Sequence, residues 1–320
     1  MTEVAGSLEY RLLRRSDVPS YLTVVLQGIG KLERSTGLDR GAEKMVRSLS
    51  RRSIWTLLRF SQLVGRPFAQ IFVAVDGNRV VGTGTLLRLP NAAYVAGMAT
   101  DAGYRGRGIA SQVLTLLQKD AARRHQEWLV LDVDSDNDTA IRVYRRAGYR
   151  EAARFTWYVR TGVPPTLTPL PPRTRPATRE ELNEIAPKLD EGRAADYRAA
   201  LPSTRRRLSH NEVLSGSFRS RKQTWVLWTL SGPPLALRVS CAHSREAPMA
   251  VYLPLVGSTP PTLEEATALL DRGTEWLRPQ APATCLAVVA EPTGAVGVAL
   301  ERLGFKGVAS SMTMVRSSST

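Results

Sequence analysis

The chain repeats its own pattern at a spacing of 156 residues, and this repeat constrains the fold more than any other feature. The segment VYRRAGYREAARFTWYVR at 143–160 has a counterpart in ALERLGFKGVASSMTMVR at 299–316. At nearly the same offset, the turn residues Asp76-Gly77 correspond to Ser231-Gly232. Because chance seldom aligns several such pieces at one offset, the sequence predicts a tandem duplication with a diverged second copy.

A proline-rich stretch separates the two copies. With 320 residues, the chain is long enough for two domains. The stretch TGVPPTLTPLPPRTRP at 161–176 contains six prolines, and proline fixes φ and cannot donate a hydrogen bond to a sheet. We therefore expect a first domain at 1–162, a linker at 163–176 and a second domain at 177–320.

Strands and helices alternate in the first copy. Residues 70–89 read as two strands joined by a turn at Asp76-Gly77-Asn78, and 92–100 read as the next strand. Helical spacing of apolar residues begins at Ile109, and Gly148 is a stop signal for a second amphipathic helix. The alternation predicts the α/β class.

Composition bounds the partners and the compartment. A net charge of +15 favours polyanions such as nucleic acid, acidic membranes or phosphorylated cofactors, although a genomic preference for arginine codons would give the same charge. The N-terminus has no apolar signal core, and no apolar run approaches the ~18 residues that span a bilayer. Neither the histidines nor Cys241 and Cys285 have metal-ligand spacing. We expect a cytoplasmic protein with free thiols, no metal and no membrane partner.

The stretch TDAGYRGRGIASQ at 100–112 joins a predicted strand to a predicted helix. A helix N-terminus exposes unpaired N–H groups and a partial positive charge, which together favour phosphate. Gly106 and Gly108 let the backbone approach an anion, while Arg105 and Arg107 add donors and charge. Taken alone, the pattern fits a phosphate cradle or an ordinary glycine-rich turn.

A second motif lies downstream and combines polar, small and aromatic residues: Asn137, Ala140, Tyr144, Gly148 and Tyr149. With Arg105-x-x-Gly108-x-Ala110 before it, the chain resembles the GNAT superfamily of N-acetyltransferases over about residues 7–160. The first motif matches the pyrophosphate loop of that family, and the order of strands and helices also fits. The resemblance implies two tandem GNAT-like domains, each a central mixed β-sheet flanked by helices.

The resemblance also implies acetyl-CoA, or another acyl-CoA, as co-substrate between splayed fourth and fifth strands. The residues implied to bind it lie on the strand end, the loop and the second motif: Met98, Ala99, Thr100, Arg105, Gly106, Arg107, Gly108, Ile109, Ala110 and Asn137. An N–H near Met98 or Ala99 would polarise the thioester carbonyl, and Asn137 would touch the pantetheine or anchor its helix. Tyr144 stands where family members place the general acid, although it also fits a packing role on its helix.

The general base is open, because the predicted fourth strand has no acidic residue. Asp132 and Asp134 lie on or just after the fifth strand and could serve, or they could face solvent or cap a helix. Tyr94 and Asp101 are further candidates, and water alone could accept the proton. Acidic residues before the hairpin could hold a cationic acceptor or simply be solvated: Glu33, Asp39 and Glu43.

The second copy departs from these motifs. Leu300 and Thr293 stand where the first copy has Tyr144 and Asn137. A proline pair at 260–261 replaces the arginine–glycine loop and removes two N–H donors. We expect this copy not to catalyse.

The sequence thus predicts an acetyl-CoA-dependent N-acetyltransferase. It would transfer an acyl group to a primary amine of a small molecule or protein, by direct attack in a ternary complex. The alternative is a non-catalytic acyl-CoA sensor that has kept its cofactor cradle. A nucleic-acid partner is not expected, because the chain has no recognisable recognition-helix motif or aromatic RNA platform.

Overall fold

The computed structural model describes residues 8–30, 69–89, 92–167, 174–191, 193–202, 220–227, 235–242, 249–255 and 259–318, with isolated positions between 31 and 68. Its contacts divide the chain into two compact units. Unit 1 comprises Met1–Glu151 and Thr313–Thr320, and unit 2 comprises Ala152–Met312. Each unit is described by itself.

Unit 1 is a mixed sheet with helices packed on it. Its strands are β1 (Glu9–Leu12), β2 (Ala69–Asp76), β3 (Arg79–Arg88), β4 (Ala92–Thr100), β5 (Trp128–Asp134) and the end of β12 (Lys306–Ser317). Its helices are α1 (Val18–Gly28), α2 (Ile109–Arg123) and α3 (Asp138–Arg146). β1 to β4 pair antiparallel in chain order, and β4 pairs parallel with β5. The predicted mixed sheet is confirmed.

The turn and the helix stop predicted for unit 1 are also confirmed. Gly77 adopts φ +56° in the two-residue turn between β2 and β3, where an L side chain would be strained. Gly148 adopts φ +88° just after α3, and the N–H of Tyr149 returns to the carbonyl of Tyr144. This is the glycine stop that the sequence predicts for the helix.

Two glycines of β3 bring α2 close to the sheet. A Cβ on Gly82 would lie 2.4 Å from Ile109 Cγ2, and a Cβ on Gly84 would lie 2.9 Å from Val113 and Leu117 of α2. Both positions therefore exclude a side chain. The close contact fixes the N-terminus of α2 beside the end of β4.

From Thr174 onward, unit 2 follows the element order described for unit 1, with a further short helix after its first helix. Its strands are β6 (Arg150–Thr161), β7 (Thr174–Pro176), β8 (Ser220–Leu227), β9 (Leu235–Ala242), β10 (Met249–Leu255), β11 (Thr284–Ala290) and the greater part of β12. Its helices are α4 (Arg179–Asp190), α5 (Ala195–Ala200), α6 (Leu263–Leu277) and α7 (Gly294–Arg302). Among the helices that the structure describes, none combines the length and apolar character needed to cross a bilayer.

Strand pairing confirms the duplication. The parallel pair of unit 1 joins 92–95 to 128–131, and that of unit 2 joins 249–252 to 284–287. Helices α2 and α6 each have 15 residues, α3 and α7 each have 9, and β6 and β12 each have 12. The turn at Ser231-Gly232 lies outside the described residues.

The last strand of each sequence half contributes to the other unit. Residues 152–161 of β6 follow α3 in sequence, yet they belong to unit 2 and pair antiparallel with β11. Residues 313–320, at the end of β12, belong to unit 1. The bounds of the two units therefore differ from those of the domains expected at 1–162 and 177–320. Order in the sequence does not decide which neighbouring strand β6 or β12 pairs with.

Part of the expected linker is built into unit 2. The N–H of Leu167 donates to the buried carboxylate of Asp271 at 3.1 and 3.2 Å. Farther along, Thr174–Pro176 forms β7 and pairs antiparallel with β8. A proline is tolerated there because β7 ends the strand order.

Candidate functional site

The paired strands β4 and β5 separate over their last residues. Their pairing ends at Val95 and Leu131, although β4 continues to Thr100 and β5 to Asp134. A bulge in β4 falls at this point, where Gly97 has φ +59°. The backbone N–H and C=O groups of β4 beyond the bulge are therefore not paired with β5, and bulges of this kind often adjoin binding sites.

The side chains predicted at the end of β4 serve packing. A Cβ on Gly84 would lie 2.5 Å from Met98 Sδ, so Met98 packs on β3 and α2. A Cβ on Gly28 of α1 would lie 2.5 Å from Ala99 Cβ. Thr100 pairs with β3, and its carbonyl accepts a long 3.5 Å bond from Arg105 Nε. The side chains of Met98 and Ala99 are thus used in packing, which leaves their backbone groups for a co-substrate.

The loop after β4 is tied to the neighbouring hairpin. Asp101 is 4% exposed, accepts the N–H of Gly103 at 3.0 Å and pairs with Arg79 at 2.6 Å. The hydroxyl of Tyr104 donates to Asp76 at 2.7 Å. Asp101, a candidate base from the sequence, is therefore engaged in holding the loop.

The rest of the loop presents glycines and arginines at the start of α2. Gly106 and Gly108 adopt φ +77° and +76°, and a Cβ on either would meet nothing within 4 Å. Both arginines are exposed, and the Arg107 guanidinium lies 4.8 Å from the centre of the Tyr104 ring. The loop thus combines glycine-dependent backbone, open space and positive charge.

The N-terminus of α2 carries no competing anion. Gly108 occupies the cap position without a side-chain cap, and the first turn contains no acidic residue. Ile109 is buried and Ala110 is half-buried, so this turn is anchored from below. The first N–H groups of α2 and the positive end of its dipole are therefore not used by a side chain of the helix. These residues fit a pyrophosphate.

Asn137 anchors α3. Its Oδ1 accepts the N–H of Ala140 at 3.1 Å, which satisfies one of the free donors of the helix N-terminus. The backbone N–H of Asn137 donates to the carbonyl of Asp134 at the end of β5. The anchoring role considered for Asn137 is observed, and a contact with pantetheine stays a prediction.

Tyr144 is buried within α3. It is 7% exposed, and its ring centre lies 6.0 Å from that of Tyr149. Burial raises the pKa of Tyr144 to about 12, because the phenolate would lose its solvation. The side chain both packs and keeps a protonated hydroxyl at neutral pH.

A cluster of hydroxyl and carboxyl groups lies where β4 and β5 separate. The hydroxyl of Tyr94 donates to Asp132 Oδ2 at 2.7 Å, and the hydroxyl of Thr313 donates to Asp132 Oδ1. Sequence analysis named Tyr94 and Asp132 as separate candidates for the base. It missed Thr313, because no motif of the first half predicts that β12 joins unit 1.

Among the described residues of unit 2, the corresponding positions lack these features. Strand register and helix position put Val251, Val288 and Leu300 where unit 1 has Tyr94, Asp132 and Tyr144. The N-terminus of α6 is closed by a capping box between Thr262 and Glu265, with a second acid at Glu264. These carboxylates and the used donors oppose a phosphate there.

Of the three acidic residues considered for the acceptor side, the structure describes Glu43. Glu43 forms a 2.6 Å ion pair with Arg47 one helical turn away. Glu33 and Asp39 lie outside the described residues, as do His210 and His243.

The site can now be compared with known proteins. The sequence model of the acetyltransferase (GNAT) family matches residues 42–149. N-alpha-acetyltransferase 30 of Schizosaccharomyces pombe is 31% identical over 100 residues, which are 28% of this chain and 64% of that protein. The chain thus spans less than two thirds of that relative.

Two solved structures share the fold over nearly the whole chain. A tandem GNAT protein from the clavulanic acid biosynthesis pathway is 16% identical, with a TM-score of 0.55 over 98% of this chain and 99% of that one. A putative acetyltransferase from Pyrococcus horikoshii is 14% identical, with a TM-score of 0.54 over 97% and 89%. Residues 42–149 are thus similar to the acetyltransferase (GNAT) family, and the chain shares the fold of these two solved structures.

Proposed function

We propose that unit 1 is an acetyl-CoA-dependent N-acetyltransferase that acylates a primary amine of a small molecule or protein. One observation carries the proposal: the end of β4 that is not paired with β5 leads, through the loop at 101–108, to a helix N-terminus that has no side-chain cap and no acid. The first feature offers backbone groups to an extended amide-containing arm, and the second offers donors to a pyrophosphate.

The loop and the strand end would hold the co-substrate. The residues assigned to the pyrophosphate run from Arg105 to Ala110, and those assigned to the pantetheine arm run from Met98 to Thr100. Bound there, acetyl-CoA would supply an acyl group activated as a thioester. A β4 N–H near Met98 or Ala99 would donate to the carbonyl oxygen as negative charge develops on it.

Asp132 would accept the proton of the attacking amine. Attack forms the C–N bond, and breakage of the C–S bond then releases a thiolate, so one proton must leave the nitrogen and one must reach the sulfur. Asp132 directly follows the last paired residue of β5, and Tyr94 donates to it at 2.7 Å. The Tyr94 hydroxyl can pass a proton inward while it receives one from the amine side.

Tyr144 would donate a hydrogen bond to the departing sulfur. A hydroxyl with a pKa of about 12 stays protonated at neutral pH. Complete transfer to a thiolate, whose conjugate acid has a pKa of about 8.5, is uphill. The hydroxyl therefore stabilises developing charge, and the proton on the free thiol is finally drawn from solvent.

The acceptor class follows from the amine chemistry. A protein α-amine has a pKa near 8, so about a quarter of it is neutral at pH 7.5, whereas a lysine side chain is almost wholly protonated. A carboxylate is a weak base and suits the α-amine better, because removing a proton from an α-ammonium costs less free energy than removing one from a lysine ammonium. The name of the Schizosaccharomyces pombe relative, an N-alpha-acetyltransferase, supports testing this class first.

The decisive experiment measures acetyl-CoA binding and free-thiol release on the full chain. The amine panel comprises peptides with free α-amines, lysine peptides blocked at the N-terminus, and small polyamines. Binding with amine-dependent thiol release supports the transferase. Binding without turnover across the panel supports the acyl-CoA sensor instead, and no binding at all contradicts both.

A further inference from the structure

Unit 1 contains a cavity of about 730 Å³ beside the pyrophosphate loop. It lies between α2 and the C-terminal end of α3, and its lining is rich in arginine and hydroxyl groups: Ser111, Thr115, Gln118, Arg146, Ala147, Gly148, Arg150, Arg316 and Ser317. None of these described residues is acidic. The volume suits a ligand of nucleotide size, since small-molecule sites commonly measure about 300–1,000 Å³.

Three arginines converge on this cavity from three elements. Arg146 ends α3, Arg150 begins β6 and Arg316 lies near the end of β12. Arginine presents planar N–H donors that match phosphate oxygens, and hydroxyls such as that of Thr115 add neutral donors. The lining therefore fits a phosphate monoester better than a carboxylate or an apolar ligand.

The second copy shows what these positions do when no ligand is needed. Arg160, the counterpart of Arg316, packs against Gly304 and donates to the carbonyl of Leu303 at 2.8 Å. Arg316 places its Nε 3.1 Å from where a Cβ of Gly148 would be, and it lines the cavity. In unit 2 this arginine caps a helix end, whereas in unit 1 it lines a cavity.

A second substitution points the same way. Thr115 is the seventh residue of α2 and lines the cavity, whereas Leu269 is the seventh residue of α6 and is 4% exposed in a hydrophobic core. Unit 2 has therefore filled with apolar atoms the place where unit 1 has a polar wall. The polar cavity belongs to the copy that also carries the glycine–arginine loop.

We propose that this cavity binds a phosphate monoester, and that the last strand of the chain completes the site through Arg316. Ser111 lies in the first turn of α2, immediately beyond the pyrophosphate loop. One source of the phosphate is the 3′-phosphate of an acyl-CoA, and this source rests on the proposed function. The other source is a free phosphorylated metabolite that binds beside the co-substrate.

Calorimetry on the full chain separates the two sources. The probes are acetyl-CoA, 3′-dephospho-acetyl-CoA, and inorganic phosphate added after saturation with the dephospho form. The variants are Arg146→Ala and Arg316→Gln. Arg302→Ala is the matched control, because Arg302 is exposed and ends α7 as Arg146 ends α3.

For the CoA source, we expect the wild type to bind acetyl-CoA about tenfold more tightly than the dephospho form, as one charge-assisted contact predicts. Arg146→Ala and Arg316→Gln should each reduce this ratio toward one, while Arg302→Ala preserves it. For the metabolite source, the ratio is near one, and inorganic phosphate binds to the saturated wild type but not to the first two variants. Thermal melting of Arg316→Gln checks that the loss is not unfolding.

Two results would overturn the inference. One is equal affinity for both forms of the co-substrate together with no binding of inorganic phosphate. The other is a ratio that survives both arginine variants. If acetyl-CoA and its dephospho form do not bind at all but phosphate binds through Arg146, the proposed function fails and the phosphate site stands.

Discussion

The hydroxyl of Tyr94 on β4 donates a 2.7 Å hydrogen bond to Oδ2 of Asp132 on β5, just beyond the last paired residues of these strands. Thr313 of β12 donates to the second oxygen of the same carboxylate. In unit 2 the matching strand positions hold Val251 and Val288. Among the described residues, unit 1 therefore has a carboxylate where its parallel strands separate, and unit 2 has valines at the matching positions.

Asp132→Asn tests this acceptor with the least change of shape. The amide oxygen can still accept from Tyr94 and Thr313, but it cannot take a proton from the amine. We expect kcat to fall about 100-fold, the lower end of general-base effects, while the Kd for acetyl-CoA changes less than twofold. Stopped-time thiol release and calorimetry measure the two quantities.

Asp138→Asn is the control for the loss of a nearby carboxylate. Asp138 is exposed at the first position of α3 and is not part of the hydrogen-bonded cluster. Its variant should retain wild-type kcat. If Asp132→Asn also stays within threefold of the wild type, water or another group accepts the proton.

Tyr144→Phe should lower kcat about 100-fold and leave the affinity for acetyl-CoA unchanged. A raised pKa means that the hydroxyl is retained until the pH approaches about 12, so the kcat ratio of wild type to variant should be constant between pH 6 and 9. Tyr149→Phe is the matched control, because its ring lies 6.0 Å away and is equally buried. Equal losses in both variants would assign Tyr144 to packing alone.

Much of the fold was predictable because local chemistry sets it. The Gly77 turn, the Gly148 stop and the repeat offset each depend on residues close in sequence or on direct self-similarity. The exchange of β6 and β12 was not predictable. Both strands have the same length and similar patterns, and a strand edge offers the same hydrogen bonds to either.

In the candidate site, too, the local features were predictable from the sequence and the long-range contacts were not. The loop from Arg105 to Ala110 and the cap at Asn137 are local, so the sequence placed them correctly beside a strand end and a helix start. The contact of Asp132 with Thr313 and the cavity position of Arg316 depend on residues about 170–180 apart in the chain. Sequence analysis also kept Asp101 as a candidate base, because it could not predict the ion pair of Asp101 with Arg79 at the start of β3.

Gly108→Ala tests the pyrophosphate loop. At φ +76° an added Cβ should destabilise the fold by about 1 kcal/mol and place a methyl in the open space above the loop. Gly77→Ala is the matched control, because Gly77 has φ +56° and equally open surroundings in a hairpin turn. Both variants should lose similar stability in thermal melts. Only Gly108→Ala should weaken acetyl-CoA binding, by about tenfold or more. If the two variants bind acetyl-CoA equally tightly, this loop does not bind its pyrophosphate.

A chain ended at residue 176 contains every motif of the first copy but lacks 313–320 of unit 1. Without that segment, Asp132 loses the Thr313 hydroxyl, and the carbonyl of Glu127 loses the N–H of Ser318. The fragment also leaves β6 without β11, exposing Trp157 and Tyr158, which are 5% and 4% exposed in the full chain. We expect it to aggregate or to melt without cooperativity, and co-expression with 177–320 to restore acetyl-CoA binding. A fragment that melts cooperatively and binds acetyl-CoA alone would show that the exchanged strand is dispensable.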